Sequence, residues 1–239
     1  MMKSRHFPYT QPTFGTQANP KPQRFCTHSV YYWWFEYLRR NEAYKKTCLS
    51  KGRGKLGNTY DDFGDVFEVD FKTWWQTDQR GAVLFSEPLV KDTFELVHLS
   101  DIPSIANKDI LYVKVPLNLP KRFLKAKFHR LLKKLHEGRR GIRQARQSKA
   151  KYIVIGQPNI EALKKTLNVY DYRLENPHLK LWEIGRDLRL SLADNPLRTD
   201  SSKIAYDKRN RLSATVSRYL RKAKRMIENT SNGRFPDIK

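Results

Sequence analysis

Residues 212–226, LSATVSRYLRKAKRM, interleave apolar side chains with hydroxyls and cations at spacings suited to chemistry on a polyanion. On a helix, Leu212, Val216, Leu220 with Tyr219, Ala223 and Ile227 fall on one face. Ser213, Thr215, Ser217, Arg218, Arg221, Lys222 and Arg225 are left for a partner. Small polar side chains at the start of such a helix allow close approach to phosphates. Arginines further along are long enough to reach guanine edges in a major groove.

A second chemistry-bearing stretch is YDDFGDVFEVDF, with Asp61, Asp62, Asp65, Glu68 and Asp70. Two or more carboxylates can hold a divalent ion for phosphodiester hydrolysis, the reaction of a metal-dependent nuclease. Here the acids alternate with Val66, Phe67, Val69 and Phe71, the pattern of a half-solvated element. The nuclease is the weaker reading, so no catalytic residue, metal site or cofactor is expected. The six histidines are scattered without a His-Glu-x-x-His pair, and no phosphate-binding loop, dinucleotide fingerprint or nucleophile elbow occurs. Cys26 and Cys48 are too few for a disulfide framework or a four-ligand zinc site, which fits a reducing compartment.

Composition points the same way. Lys and Arg number 47 against 24 acids, a formal net charge of +23 over 239 residues, so counterion release should draw the chain onto nucleic acid. The positive charge is clustered. Residues 119–151 hold thirteen Lys and Arg against Glu137 alone, among them Lys133, Lys134, Arg139, Arg140, Arg143 and Arg146. No apolar run reaches the length of a signal core or a membrane span, so a cytoplasmic, nucleoid-associated protein without a membrane partner is expected.

The elements that must position these residues can be read along the chain. Residues 1–27 mix Pro, Gln, Thr and Gly without period and read as a flexible arm. SVYYWWFEYLRRNEAYKKTC reads as one amphipathic helix whose Trp33, Trp34 and Tyr37 are core rather than a base-stacking platform. Short β-type runs in AVLFSEP, TFELVHL and ILYVKVPL predict a small sheet within 82–117. A basic helix follows Pro120, with Phe123, Leu124, Phe128, Leu131, Leu132 and Leu135 as its stripe and Gly138 as its stop. Beyond a short strand in KYIVIG, a helix starts near Pro158 and presents Ile160, Leu163, Leu167, Tyr170 and Leu174. LKLWEIGRDLRL gives another helix of about three turns, with Gly185 where close helix packing is expected.

LWEIGRDLRL followed by ATVSRYLRKA resembles the two helices of a bacterial repressor helix-turn-helix, and TVSRYL is similar to the recognition-helix opening of LacI-type regulators. The resemblance covers residues 179–228 and leaves residues 1–156 unmatched. It implies base reading by Ser213, Ala214, Arg218 and Arg221. It implies phosphate contacts by Thr215 and Ser217, and the clustered charge of residues 203–225 adds Lys222 and Arg225, with Lys208, Arg209 and Arg211, as expected phosphate anchors. A helix-turn-helix joins its helices by three or four residues, whereas about twenty, SLADNPLRTDSSKIAYDKRNR, intervene here.

The sequence thus predicts an α+β protein: an arm (1–27), a mixed helix and small-sheet domain (28–156) and an all-helical, helix-turn-helix-like domain (157–239). The expected partner is double-stranded DNA, and transcriptional regulation is the leading use. A plasmid or phage replication initiator, a recombination accessory factor or an RNA-binding assembly protein shares the same basic plan. Further protein subunits, including a second copy of the chain, are compatible with it.

Overall fold

In the computed structural model the described residues are 5–16, 18–22, 25–88, 111–135 and 150–237. They are mostly helical, with two ladders of two residues per strand, at the helical end of the expected α+β class. The chain divides into two units, Met1–Pro88 with Gln144–Lys239, and Leu89–Arg143.

The first unit is built around α1 (Val30–Leu38), whose N-cap Ser29 accepts from the Tyr31 backbone N–H. Every α1 residue except Glu36 is buried, so this helix lies inside the core rather than on its edge. The single amphipathic helix expected over this region is instead two. Asn41 ends the intervening turn and caps α2 (Glu42–Leu49) by accepting from the Tyr44 N–H at 2.9 Å. The core around α1 is aromatic. Trp34 meets Phe85 at 5.1 Å, Phe235 at 5.6 Å and Tyr152 at 5.8 Å between centroids, while Phe63 meets Tyr152 edge-on at 4.6 Å. Trp33, Trp34 and Tyr37 are all interior. Rings of this size dominate core energetics, which is how a chain of such high charge holds one packed interior.

Three short helices close the far side of α1: α3 (Gly57–Phe63), α4 (Phe71–Gln76) and α5 (Arg80–Phe85). Ala82–Phe85 were expected as strand but form the body of α5, because Leu84 and Phe85 turn into the core and Gly81 fits under Trp75. A Cβ on Gly81 would meet the Trp75 ring at 2.3 Å. The one strand among the described residues of this region, β2 (Glu87–Pro88), pairs antiparallel with β1 (Arg5–His6). TFELVHL lies outside the described residues, and residues 111–116 form no ladder among those described. Of the small sheet expected in 82–117, the first run is therefore helix α5, and the part that falls on 89–110 lies outside the described residues.

Residues 7–16 pack onto the core where a flexible arm was expected. Phe7, Tyr9 and Phe14 lie against it, Cys26 is buried, and Ser29 Oγ donates to the Thr10 carbonyl at 2.8 Å. Polar composition concealed three aromatic anchors whose partners lie elsewhere in the chain.

Behind α1 run α7 (Ile160–Glu175), capped by Asn159, and α9 (Ser202–Ser231), with α8 (Leu181–Asp187) across them. β3 (Ile153–Val154) pairs in parallel with β4 (Arg234–Phe235). The division at 156/157 does not separate two cores. Leu163, Leu167, Met226, Ile227 and Phe235 share one buried cluster with the α1 aromatics. Tyr37 Oη donates to the Leu163 carbonyl at 2.9 Å, and Arg40 grips both carboxylate oxygens of Asp171 at 3.1 and 2.8 Å.

The second unit contributes α6 (Lys121–Leu135), the expected basic helix after Pro120. None of its residues is buried, and its cations, including Lys133 and Lys134, are exposed. Its expected stop, Gly138, lies outside the described residues.

Candidate nucleic-acid interface

Three of the five carboxylates from Asp61 to Asp70 already have local tasks. Asp62 accepts from Tyr152 Oη at 2.8 Å and pairs with Lys151, tying α3 to the residues before β3. Asp65 accepts from the Phe67 N–H at 2.9 Å. Asp70 caps α4, accepting from the Lys72 and Thr73 N–H groups and, at 2.6 Å, from the Thr73 hydroxyl. Among the described residues no three His, Cys, Asp or Glu side chains converge as a metal site would require. The stretch is a set of caps and tethers.

The basic stretch stands differently. A small second cluster of Val169, Ile184 and Val216, with Tyr172, Leu181, Leu188, Tyr219 and Leu220 packed on it, seats α8 and α9 against α7. Gly185 makes the close approach expected of it. A Cβ there would stand 3.1 Å from Leu212 Cδ2 and 3.3 Å from Val216 Cγ2. Leu212, Val216, Ala223, Met226 and Ile227 bury the inward face of α9. Helical geometry then turns Arg211, Ala214, Arg218, Arg221 and Arg225 outward on one line of alternating three- and four-residue steps, and all five are exposed. At 1.5 Å per residue the line runs for about 21 Å. No carboxylate occurs in the sequence between Asp207 and Glu228, so α9 itself contributes only positive charge along this line.

The structure changes where this face begins. Residues 202–231 form one helix, so Ser213–Ser217 lie three turns inside it and not at a helix start. Their backbone N–H groups are committed to the helix, and the helix-terminus phosphate site implied by the repressor resemblance is absent there. The connection is also reshaped. Residues 188–201 form the loop, while 202–211, expected within the insertion, are the first turns of α9. LKLWEIGRDLRL yields only two turns of helix, because Leu190 N–H turns back to the Gly185 carbonyl at 2.9 Å.

The cations sort into two groups along α9. Arg218 and Arg221 are exposed, Lys222 is half-exposed, and Arg218 Nη2 donates to Thr215 Oγ1 at 3.1 Å. Ala214 and Arg225 are exposed, while Ser213, Thr215 and Ser217 sit half-buried on the flanks. Nearer the N-terminus the expected phosphate contacts are engaged by the protein itself. Lys208 Nζ binds both oxygens of Asp200 at 2.9 and 2.8 Å, Arg211 Nε binds Asp194 at 2.5 Å, and Arg209 lies over Trp182 at 4.9 Å, with Arg186 over the same ring at 5.2 Å. Arg211 and Ser191 hold the Asp194 carboxyl below its ordinary pKa. The Leu197 N–H and then Lys208 do the same for Asp200. Trp182, Asp194 and Asp200 have no periodic signal in the sequence; their partners lie across a loop.

Lys133 and Lys134 belong to α6 in the other unit, and Arg139, Arg140, Arg143 and Arg146 lie outside the described residues. Among the described residues no helix is long and apolar enough to cross a membrane. No family model matches the chain, and no curated protein or solved structure is found similar to it.

Proposed function

We propose that the protein binds double-stranded DNA through the outward face of α9 and acts as a sequence-preferring regulator. The observation that carries this reading is the exposed line of Arg218, Arg221 and Arg225, with Lys222 beside it, on a helix whose opposite face is anchored in the core. A rigid helix presenting long cations around small residues such as Ala214 suits a groove, where phosphates give affinity and base edges give preference. The aromatic side chains favour a duplex over single strands. Trp33, Trp34, Trp74 and Trp75 are interior and Trp182 lies under Arg186 and Arg209, which leaves no tryptophan platform for unstacked bases. Base reading falls to Ser213, Ala214, Arg218 and Arg221. Phosphate contact falls to Lys222 and Arg225 with Thr215 and Ser217, and the clustered cations of residues 121–146 add non-specific affinity.

The test is selection of bound fragments from a random duplex pool, with structured RNA as competitor. Enrichment of a defined duplex motif that resists RNA competition supports the reading. Displacement by RNA, with no enriched motif, replaces it with an RNA-binding assembly role.

A further inference from the structure

The cationic line on α9 does not end where the arginines end. Arg211 continues it by one heptad step from Arg218, so sequence spacing alone assigns both to the same partner. Yet Arg211 Nε is held by Asp194, whose other oxygen accepts from Ser191 Oγ at 2.9 Å, so the carboxylate is fixed from two sides. One turn below, Lys208 is bound by Asp200, itself fixed by the Leu197 N–H at 2.7 Å. Asp207 adds a third carboxylate on the outward side of the same turns. The α8–α9 loop therefore neutralises Lys208 and Arg211, which lowers the positive charge of the first three turns of α9 relative to the turns that follow.

We propose that Asp194 is a positioning residue that sets the edge of the nucleic-acid footprint, neutralising Arg211 and confining the phosphate backbone to the stretch from Ser213 to Arg225. The inference rests on the DNA reading of α9 and concerns how that face is bounded. A phosphate reaching Arg211 has to displace a carboxylate of like charge fixed from two sides, while one beside Arg221 meets no acid within one turn of it along α9. The loop thereby favours one groove segment for α9, because a DNA displaced toward the α9 N-terminus trades open arginines for cations already paired with Asp194 and Asp200.

The experiment is a salt titration of the full chain on a fluorescent duplex of about two helical turns. Wild type is compared with Asp194→Asn, Arg211→Ala, the double variant and Arg218→Ala/Arg221→Ala. Each added phosphate contact steepens the log K against log salt slope by about 0.9. Asp194→Asn is expected to steepen it by about that amount and to tighten binding about five- to tenfold at 0.1 M salt. Arg211→Ala, which breaks the same ion pair but leaves the Asp194 carboxylate unpaired, is expected to keep the slope and to weaken affinity modestly, and the double variant, neutral at both positions, is expected to bind like wild type. That pairing separates the charge effect from any loss of loop structure, which both single variants share. A lost slope unit in Arg211→Ala, or an unchanged slope in Asp194→Asn, overturns the proposal. If Arg218→Ala/Arg221→Ala also binds like wild type, the DNA reading of α9 falls with it; if that variant is weakened while Asp194→Asn is neutral, only the boundary role falls.

Discussion

Asn41 Nδ2 donates to the Ile227 carbonyl at 2.9 Å and to Ser231 Oγ at 3.1 Å, so the residue that caps α2 also holds the last turns of α9. Its carbonyl oxygen serves the cap and its amide serves the tie, which uses both ends of one buried side chain. Removing it leaves the Tyr44 N–H without its acceptor and takes one donor from the Ile227 carbonyl, which still accepts from the Thr230 hydroxyl, at about 1–3 kcal/mol in all. Asn41→Ala should lower the denaturant midpoint accordingly. Asn41→Asp, which keeps the cap acceptor and loses the donor, should recover part of that loss. Equal stability of all three proteins in a urea melt would exclude the tie.

Trp33 is nearly fully buried and its indole N–H donates to the Thr27 carbonyl at 2.9 Å. Trp33→Ala should destabilise the fold by about 3–5 kcal/mol, the usual cost of deleting a large buried ring. Intact melting with loss of single-strand binding would instead mark it as a stacking residue.

Acid should weaken the α4 cap. Hydrogen bonds from the Thr73 hydroxyl and then the Thr73 and Lys72 N–H groups hold the Asp70 carboxyl below its ordinary value of 3.8. A depressed folded value means that the contribution is fully present above the ordinary value and is lost as the pH falls through the folded one. Asp70→Ala should cost about 0.5–2 kcal/mol at neutral pH, as loss of an N-cap does. The gap from wild type should close below about pH 4, where an unfolded aspartate also protonates. A gap that is constant with pH in urea melts would assign the loss to something other than the carboxylate.

What was legible in the sequence was whatever the helix period decides locally. The α7 face, with Leu163 and Leu167, the start of α6 after Pro120 and the buried α9 stripe from Leu212 to Ile227 all follow from spacing. The features that were missed depend on distant partners. The break between α1 and α2 is fixed by Asn41 reaching Ile227, and α5 is fixed as helix by Gly81 under Trp75 and by burial of Leu84 and Phe85. A short apolar run such as AVLF cannot choose between strand and helix by period alone. The same limit governs the site. The outward cations of α9 were readable, whereas their division into bound and exposed sets depends on Asp194 and Asp200, in a loop whose path no periodicity encodes.

Arg218 is the residue whose substitution separates reading from mere attraction. It lies on the face opposite Val216, exposed, with Nη2 held by Thr215 Oγ1 at 3.1 Å, so its guanidinium is oriented along its own helix before any partner arrives. An oriented guanidinium loses less side-chain freedom on binding and presents its planar fork to a guanine edge. A bidentate arginine–guanine contact contributes about 1–3 kcal/mol of discrimination. Arg218→Ala should therefore weaken the preferred duplex by about tenfold to a hundredfold while barely changing affinity for scrambled duplex. Thr215→Val, which removes the holding oxygen and keeps the shape, should give a smaller loss in the same direction. Lys222→Ala and Arg225→Ala should weaken both duplexes alike, as phosphate contacts do. The measurement is a competition titration of the best selected site against its scrambled counterpart for each variant. Equal loss on both duplexes for Arg218→Ala would reduce α9 to a basic helix that holds DNA without reading it.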